Sequence, residues 1–226
     1  MELRPWLTAI GYVQDAAMLL AFVIFLITPK AGRKNFLPIG VILLVGFIIE
    51  VTGWIYWGIF HKNTNPIVLT FDYFVVPAFF FFYKPKLSSK RVVRLFAVLV
   101  FINLSFASLN TLFYQGVMTF PSYTMAMDAF VLIIFSTIFL RQLSKELPRQ
   151  VYVRLPVFWI NCAVLIYYVV VFPIYLAAEY IYLTLKLSII PLWMVHNSIG
   201  IVYYIFLAIG LWRNRVLYKP QSSLRD

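Results

Sequence analysis

Seven long apolar runs, joined by short loops that collect the basic residues, leave this chain few folds to choose from. The runs span about 6–28, 36–60, 66–83, 95–114, 122–140, 155–177 and 189–212. Each matches the roughly 17–25 residues a helix needs to cross a bilayer. Backbone groups inside hydrocarbon must bond within their own segment, so runs of this length read as helices rather than strands. The expectation is an all-α polytopic membrane protein with seven transmembrane helices, a single domain over 1–226. Composition agrees: 63% of residues are hydrophobic and 12% charged, against about half and a quarter in soluble domains.

The charges set the orientation. Lys30, Arg33 and Lys34 fall in the first loop. Lys84, Lys86, Lys90, Arg91 and Arg94 fall in the third, and Arg141, Lys145, Arg149 and Arg154 in the fifth. Arg213, Arg215, Lys219 and Arg225 lie in the tail, which leaves Arg4, Lys62 and Lys186 on the other side. Cytoplasmic loops carry such an excess, so the N-terminus is expected outside and the C-terminus in the cytoplasm of a cell inner membrane. The net charge of +11 then reads as attraction to anionic lipid head groups of the bilayer, and not to nucleic acid. The apolar stretch 16–28 is followed at once by further spans and reads as a retained first helix rather than a signal peptide. Cys162 is the one cysteine, so no disulfide within the chain and no thiolate zinc site is expected. The stretch 177–188 reads either as an extension of the sixth helix or as an amphipathic surface segment.

Polar groups inside the spans carry the functional expectation, because a central charge costs about 2.5–3.5 kcal/mol. Asp15, Glu50, Asp72, Asp128, His196, Asn197 and Asn110 all fall in the outer half of their helices. Asn103 and Asn161 fall in the inner half, which is otherwise nearly free of polar side chains. This pattern predicts a polar cavity open to the outside above a dry plug. Helical spacing puts Glu50, Trp54, Trp57 and His61 on one face, Asn103, Phe106, Asn110 and Phe113 on another, and Trp193, His196, Gly200 and Tyr203 on a third. Trp54 and Trp57 beside carboxylates fit a cationic or ring-shaped ligand, and equally an aromatic belt at the membrane surface. The acids read either as a binding site for ligand, proton or cation, or as hydrogen bonds between helices. Several carboxylates in apolar surroundings need compensating charge from cations, a cationic ligand or protons, which predicts a response to pH.

Sharper chemistries are largely excluded. A retinal Schiff base needs a lysine in the last helix, and there is none. Two histidines cannot make a three-histidine zinc site, although a divalent cation on Glu50, Asp72, Asp128 and His196 stays open. No phosphate loop, catalytic triad order or H-E-x-x-H signature occurs.

The stretches FIIEVTGWIYWGIFHKNTNPIVLTFDYFVVPAFFFFYKP, VFWINCAVLIYYVVVFPIYL and LWMVHNSIGIVYYIFLAIGLW carry Glu50, Asn65, Trp159, Asn161, Tyr167, Trp193, His196 and Asn197. On these the chain resembles a family of uncharacterised seven-helix membrane proteins of Bacteroidetes-type bacteria, often encoded near sensor histidine kinases. The resemblance implies signalling by association, with a sensor kinase or another membrane protein as partner. The leading expectation is an outward-facing sensor or ligand-binding module that signals through such a partner. A small-solute or ion transporter using the intramembrane carboxylates is the alternative. A membrane-embedded lipid hydrolase with a metal site is the second alternative, so whether the chain is an enzyme stays open.

Overall fold

A computed structural model describes residues 3–217, and the basic tail residues Lys219 and Arg225 lie outside the described residues. The described chain is helical, with α1 (Arg4–Ile27), α2 (Lys30–Asn35), α3 (Leu37–Gly58), α4 (Asn65–Tyr83), α5 (Lys90–Phe113), α6 (Ser122–Glu146), α7 (Arg149–Tyr152), α8 (Pro156–Glu179) and α9 (Ile190–Leu217). Seven of them, all but the short α2 and α7, are long and apolar enough to cross a membrane. They coincide with the seven apolar runs of the sequence.

Proline marks where the helices begin. α1, α3, α4, α8 and α9 each carry one within their first two residues. There the missing N–H would have had no partner anyway and the fixed φ suits a helix start. Pro77 in α4 and Pro173 in α8 sit inside helices, which neighbouring helices allow in an apolar environment.

Three boundaries differ from the apolar runs. α5 begins at Lys90, α6 continues to Glu146 and α9 to Leu217, because Lys, Arg, Gln and Glu are good helix formers even where the hydrophobic run stops. The ambiguous stretch after Ala177 extends the sixth long helix: α8 passes into a wide π turn over Tyr180–Thr184. Lys186 then turns the chain with a positive φ of 53°.

α1, α3, α4, α6, α8 and α9 neighbour one another in that order, and α9 closes the ring against α1. α5 packs outside the ring, against α4 and α6. The ring has two unlike ends. At the basic end, where α1 finishes, aromatic side chains of α4, α5 and α6 pack together. Phe79, Phe82, Tyr83, Phe96, Phe135 and Phe139 are all buried, and Phe96 stacks on Phe135 with centroids 3.9 Å apart and planes 2° from parallel. The connections are pinned beneath them. Asn214 Nδ2 donates to Gly32 O (3.1 Å), and Lys86 Nζ donates to Phe82 O (2.6 Å) while resting on the Phe82 ring. At the other end, where α1 begins, the ring encloses a cavity.

Candidate functional site

The cavity has a volume of about 380 Å³ and takes side chains from all six ring helices. α1 supplies Gln14, α3 Glu50, α4 Asp72, α6 Asp128, α8 Tyr167 and Tyr175, and α9 Trp193, His196 and Asn197. At 1.5 Å per residue, Glu50, Asp72, Asp128 and His196 lie roughly 9–12 Å below the near end of their helices. Their common depth in sequence thus becomes convergence in space.

Asp72 and Asp128 stand together in the cavity wall. Both are 3% exposed, and they are electrostatic neighbours. Asp128 Oδ1 accepts from Asn103 Nδ2 of α5 at 2.7 Å. Asp128 Oδ2, Asp72 Oδ2 and Gln14 Oε1 are buried without a hydrogen-bond partner. Asn103, which the sequence places with the inner plug, therefore backs the acid pair without lining the cavity, and its own Oδ1 is likewise buried without a partner. It reaches there because α5 lies directly behind α6.

His196 stands inside a cage of aromatic rings. Its Nε2 meets the hydroxyls of Tyr175 (2.8 Å) and Tyr167 (3.0 Å), and its Nδ1 meets Asn197 Oδ1 (3.0 Å). The Trp193 ring stands edge-on to the imidazole at 5.0 Å, and Phe120 stands edge-on to Trp193. The spacing Trp193, His196, Gly200, Tyr203 does form one inward face. Gly200 lets the end of the Gln14 side chain lie close on this face, where a Cβ would stand 2.6 Å from Gln14 Oε1.

The mouth is shaped by two loops. Asn63 and Asn65 both donate through Nδ2 to Met118 O, at 2.5 and 2.9 Å. This ties the α3–α4 connection to the α5–α6 connection.

Four expected members, Asp15, Trp54, Trp57 and Asn110, stand elsewhere. Asp15 is half-buried beside the Trp54 side chain, whose ring stacks on Tyr12. Asp15 is not among the residues lining the cavity; its neighbour Gln14 is. Trp54 and Trp57 are 43% and 65% exposed and line a separate groove of about 240 Å³ with Glu50. His61 falls past the end of α3, which breaks the expected Glu50-to-His61 stripe. Asn110 is buried in a staple: its Nδ2 donates to Gln115 Oε1 (2.7 Å) and Thr124 Oγ1 (3.0 Å). Glu179 Oε2 closes that staple by accepting from Ser122 Oγ (3.1 Å) and from Gln115 Nε2. The face expected from Asn103 to Phe113 is split, because Phe113 is 73% exposed while both asparagines are buried.

A divalent cation fits poorly. Among the described residues no three His, Cys, Asp or Glu side chains come together as a metal set. Both nitrogens of His196 are already engaged, leaving no lone pair for a metal. Glu50, Asp72, Asp128 and His196 share a cavity but not a coordination sphere.

The tyrosines and Gln14 were missed in the sequence because they read as ordinary members of apolar runs. The available signal was Tyr167 and Tyr175, eight residues apart and so on nearly one helical face. Comparison with known protein families, with curated proteins and with solved structures gives no match to this chain.

Proposed function

We propose that the chain is an outward-facing membrane ligand-binding module that takes a small organic cation into the central cavity and reports occupancy to a partner membrane protein. The observation that carries this reading is the acid pair: Asp72 and Asp128 are adjacent, buried and each left with an unpartnered oxygen. Among the described residues no lysine or arginine lines the cavity. A buried acceptor without a donor costs about 1–3 kcal/mol, and a ligand N–H⁺ would recover that while supplying the missing charge. The faces of Tyr167, Tyr175 and Trp193 add cation–π attraction. A cavity of this size suits a small ligand. The outward orientation follows from the basic loops of the opposite end, and the aromatic plug beneath the acids favours capture over passage.

The test is thermal unfolding of the chain in nanodiscs with butylammonium, against butyrate at equal ionic strength. At about 100 times its Kd the cation is expected to add about 2.7 kcal/mol of stability, and butyrate nothing. Equal responses to both, or to neither, would remove the reading. Uptake of butylammonium into proteoliposomes would replace it with the transporter.

A further inference from the structure

We infer that the ligand is amphiphilic, with its cationic head in the central cavity and a single apolar tail in the groove between α3 and α4. This rests on the cationic reading above and goes beyond it by assigning the groove. The groove and the cavity share Ile49, Glu50, Thr64 and Val68 as lining, so they lie side by side across the α3–α4 seam. Beyond that seam the groove is lined by Gly53, Trp54, Trp57 and Ile67. Glu50 is thus the one charged group in its wall, and it stands where the groove meets the cavity. A head drawn to Asp72 and Asp128 passes Glu50 on the way, and whatever trails behind it meets apolar surface.

The groove is open where a tail needs space. A Cβ on Gly53 would meet nothing within 4 Å, and Trp57, at 65% exposed, walls its outer side. Gly53 and Trp57 lie in the last two turns of α3, which places the opening close to where a bilayer's head groups meet its hydrocarbon. An amphiphile already partitioned into the membrane reaches the groove sideways, tail last. A wholly water-soluble cation would leave this apolar space unused.

The experiment measures affinities of butylammonium and octylammonium for the full chain in nanodiscs, for the parent, Gly53→Leu, Trp57→Ala and Asp72→Asn. Each buried methylene is worth roughly fourfold, so octylammonium is expected to bind the parent at least about tenfold tighter than butylammonium. Gly53→Leu fills the groove and should abolish that gain while leaving butylammonium affinity unchanged. Trp57→Ala removes a wall and should reduce the gain in the same direction, which keeps the test informative if the leucine variant does not fold. Asp72→Asn should weaken both ligands together. If butylammonium binds but chain length brings no gain, or the gain survives both groove variants, the amphiphile is overturned and the cation-binding reading stands. If neither amine binds the parent, both fall.

Discussion

The two ends of the bundle use the same kinds of polar side chain to opposite effect. In the plug, Tyr83 Oη donates to Asn161 Oδ1 at 2.8 Å and lies 3.2 Å from Ser136 Oγ, while Asn161 Nδ2 donates to Ser136 O at 3.2 Å. Each group there has its partner, and rings close around them. In the cavity, Gln14, Asp72 and Asp128 are about as deeply buried, yet each has an oxygen with no partner. Burial alone therefore does not separate these two kinds of polar group. What separates them is whether the protein completes the hydrogen bonds itself. The Asn110–Gln115–Ser122–Glu179 staple shows that even the cavity end can satisfy its polar groups when their task is structural.

That contrast makes the plug the more fragile half. Phe135 is fully buried, stacks on Phe96 and stands edge-on to Tyr83. Phe135→Ala should cost about 3–5 kcal/mol of unfolding free energy in mixed micelles. Phe120→Ala, at the rim of the cavity, should cost clearly less. Similar losses at both positions would erase the distinction between a packed end and an open one.

A pair of glycines on one helix sharpens the point. A Cβ at Gly210 would lie 2.9 Å from the Pro156 carbonyl oxygen and 2.7 Å from Ile160 Cγ1, against the start of α8. A backbone cannot turn aside, so Gly210→Ala should cost about 1–3 kcal/mol. At Gly200 the clash is with the end of the Gln14 side chain, which has the cavity to move into. Gly200→Ala should therefore cost under about 1 kcal/mol in the same unfolding series. The reverse ranking would mean that the cavity end is the tightly packed one.

The seven long apolar helices were legible because the length of an apolar run is directly visible, while the charged turns at Lys90, Glu146 and beyond Trp212 escaped. The cavity lining was legible as a depth. Glu50, Asp72, Asp128, His196 and Asn197 line one cavity because they sit at similar levels in neighbouring helices. Direction was not legible. Gln14 faces the cavity and Asp15, one residue and about 100° of rotation later, faces Trp54. A helix apolar nearly all round gives no moment from which to read its rotation. Asn110 shows the same limit: its depth was right, but its loop partners Gln115 and Ser122 are set by a turn whose shape no periodicity describes.

The most direct measurement compares two substitutions that look alike on paper, Asn161→Leu in the plug and Asp72→Leu in the cavity, by unfolding free energy and butylammonium binding in nanodiscs. Asn161→Leu strips Tyr83 of its acceptor and should cost about 1–3 kcal/mol while leaving the ligand affinity intact. Asp72→Leu removes a buried acid whose oxygen the protein leaves unpartnered. It should leave unliganded stability unchanged or raised by about 1 kcal/mol, and abolish the stabilisation by butylammonium. A loss of stability at Asp72 equal to that at Asn161, with ligand binding retained, would show that the acids hold helices together and that the cavity is not their purpose.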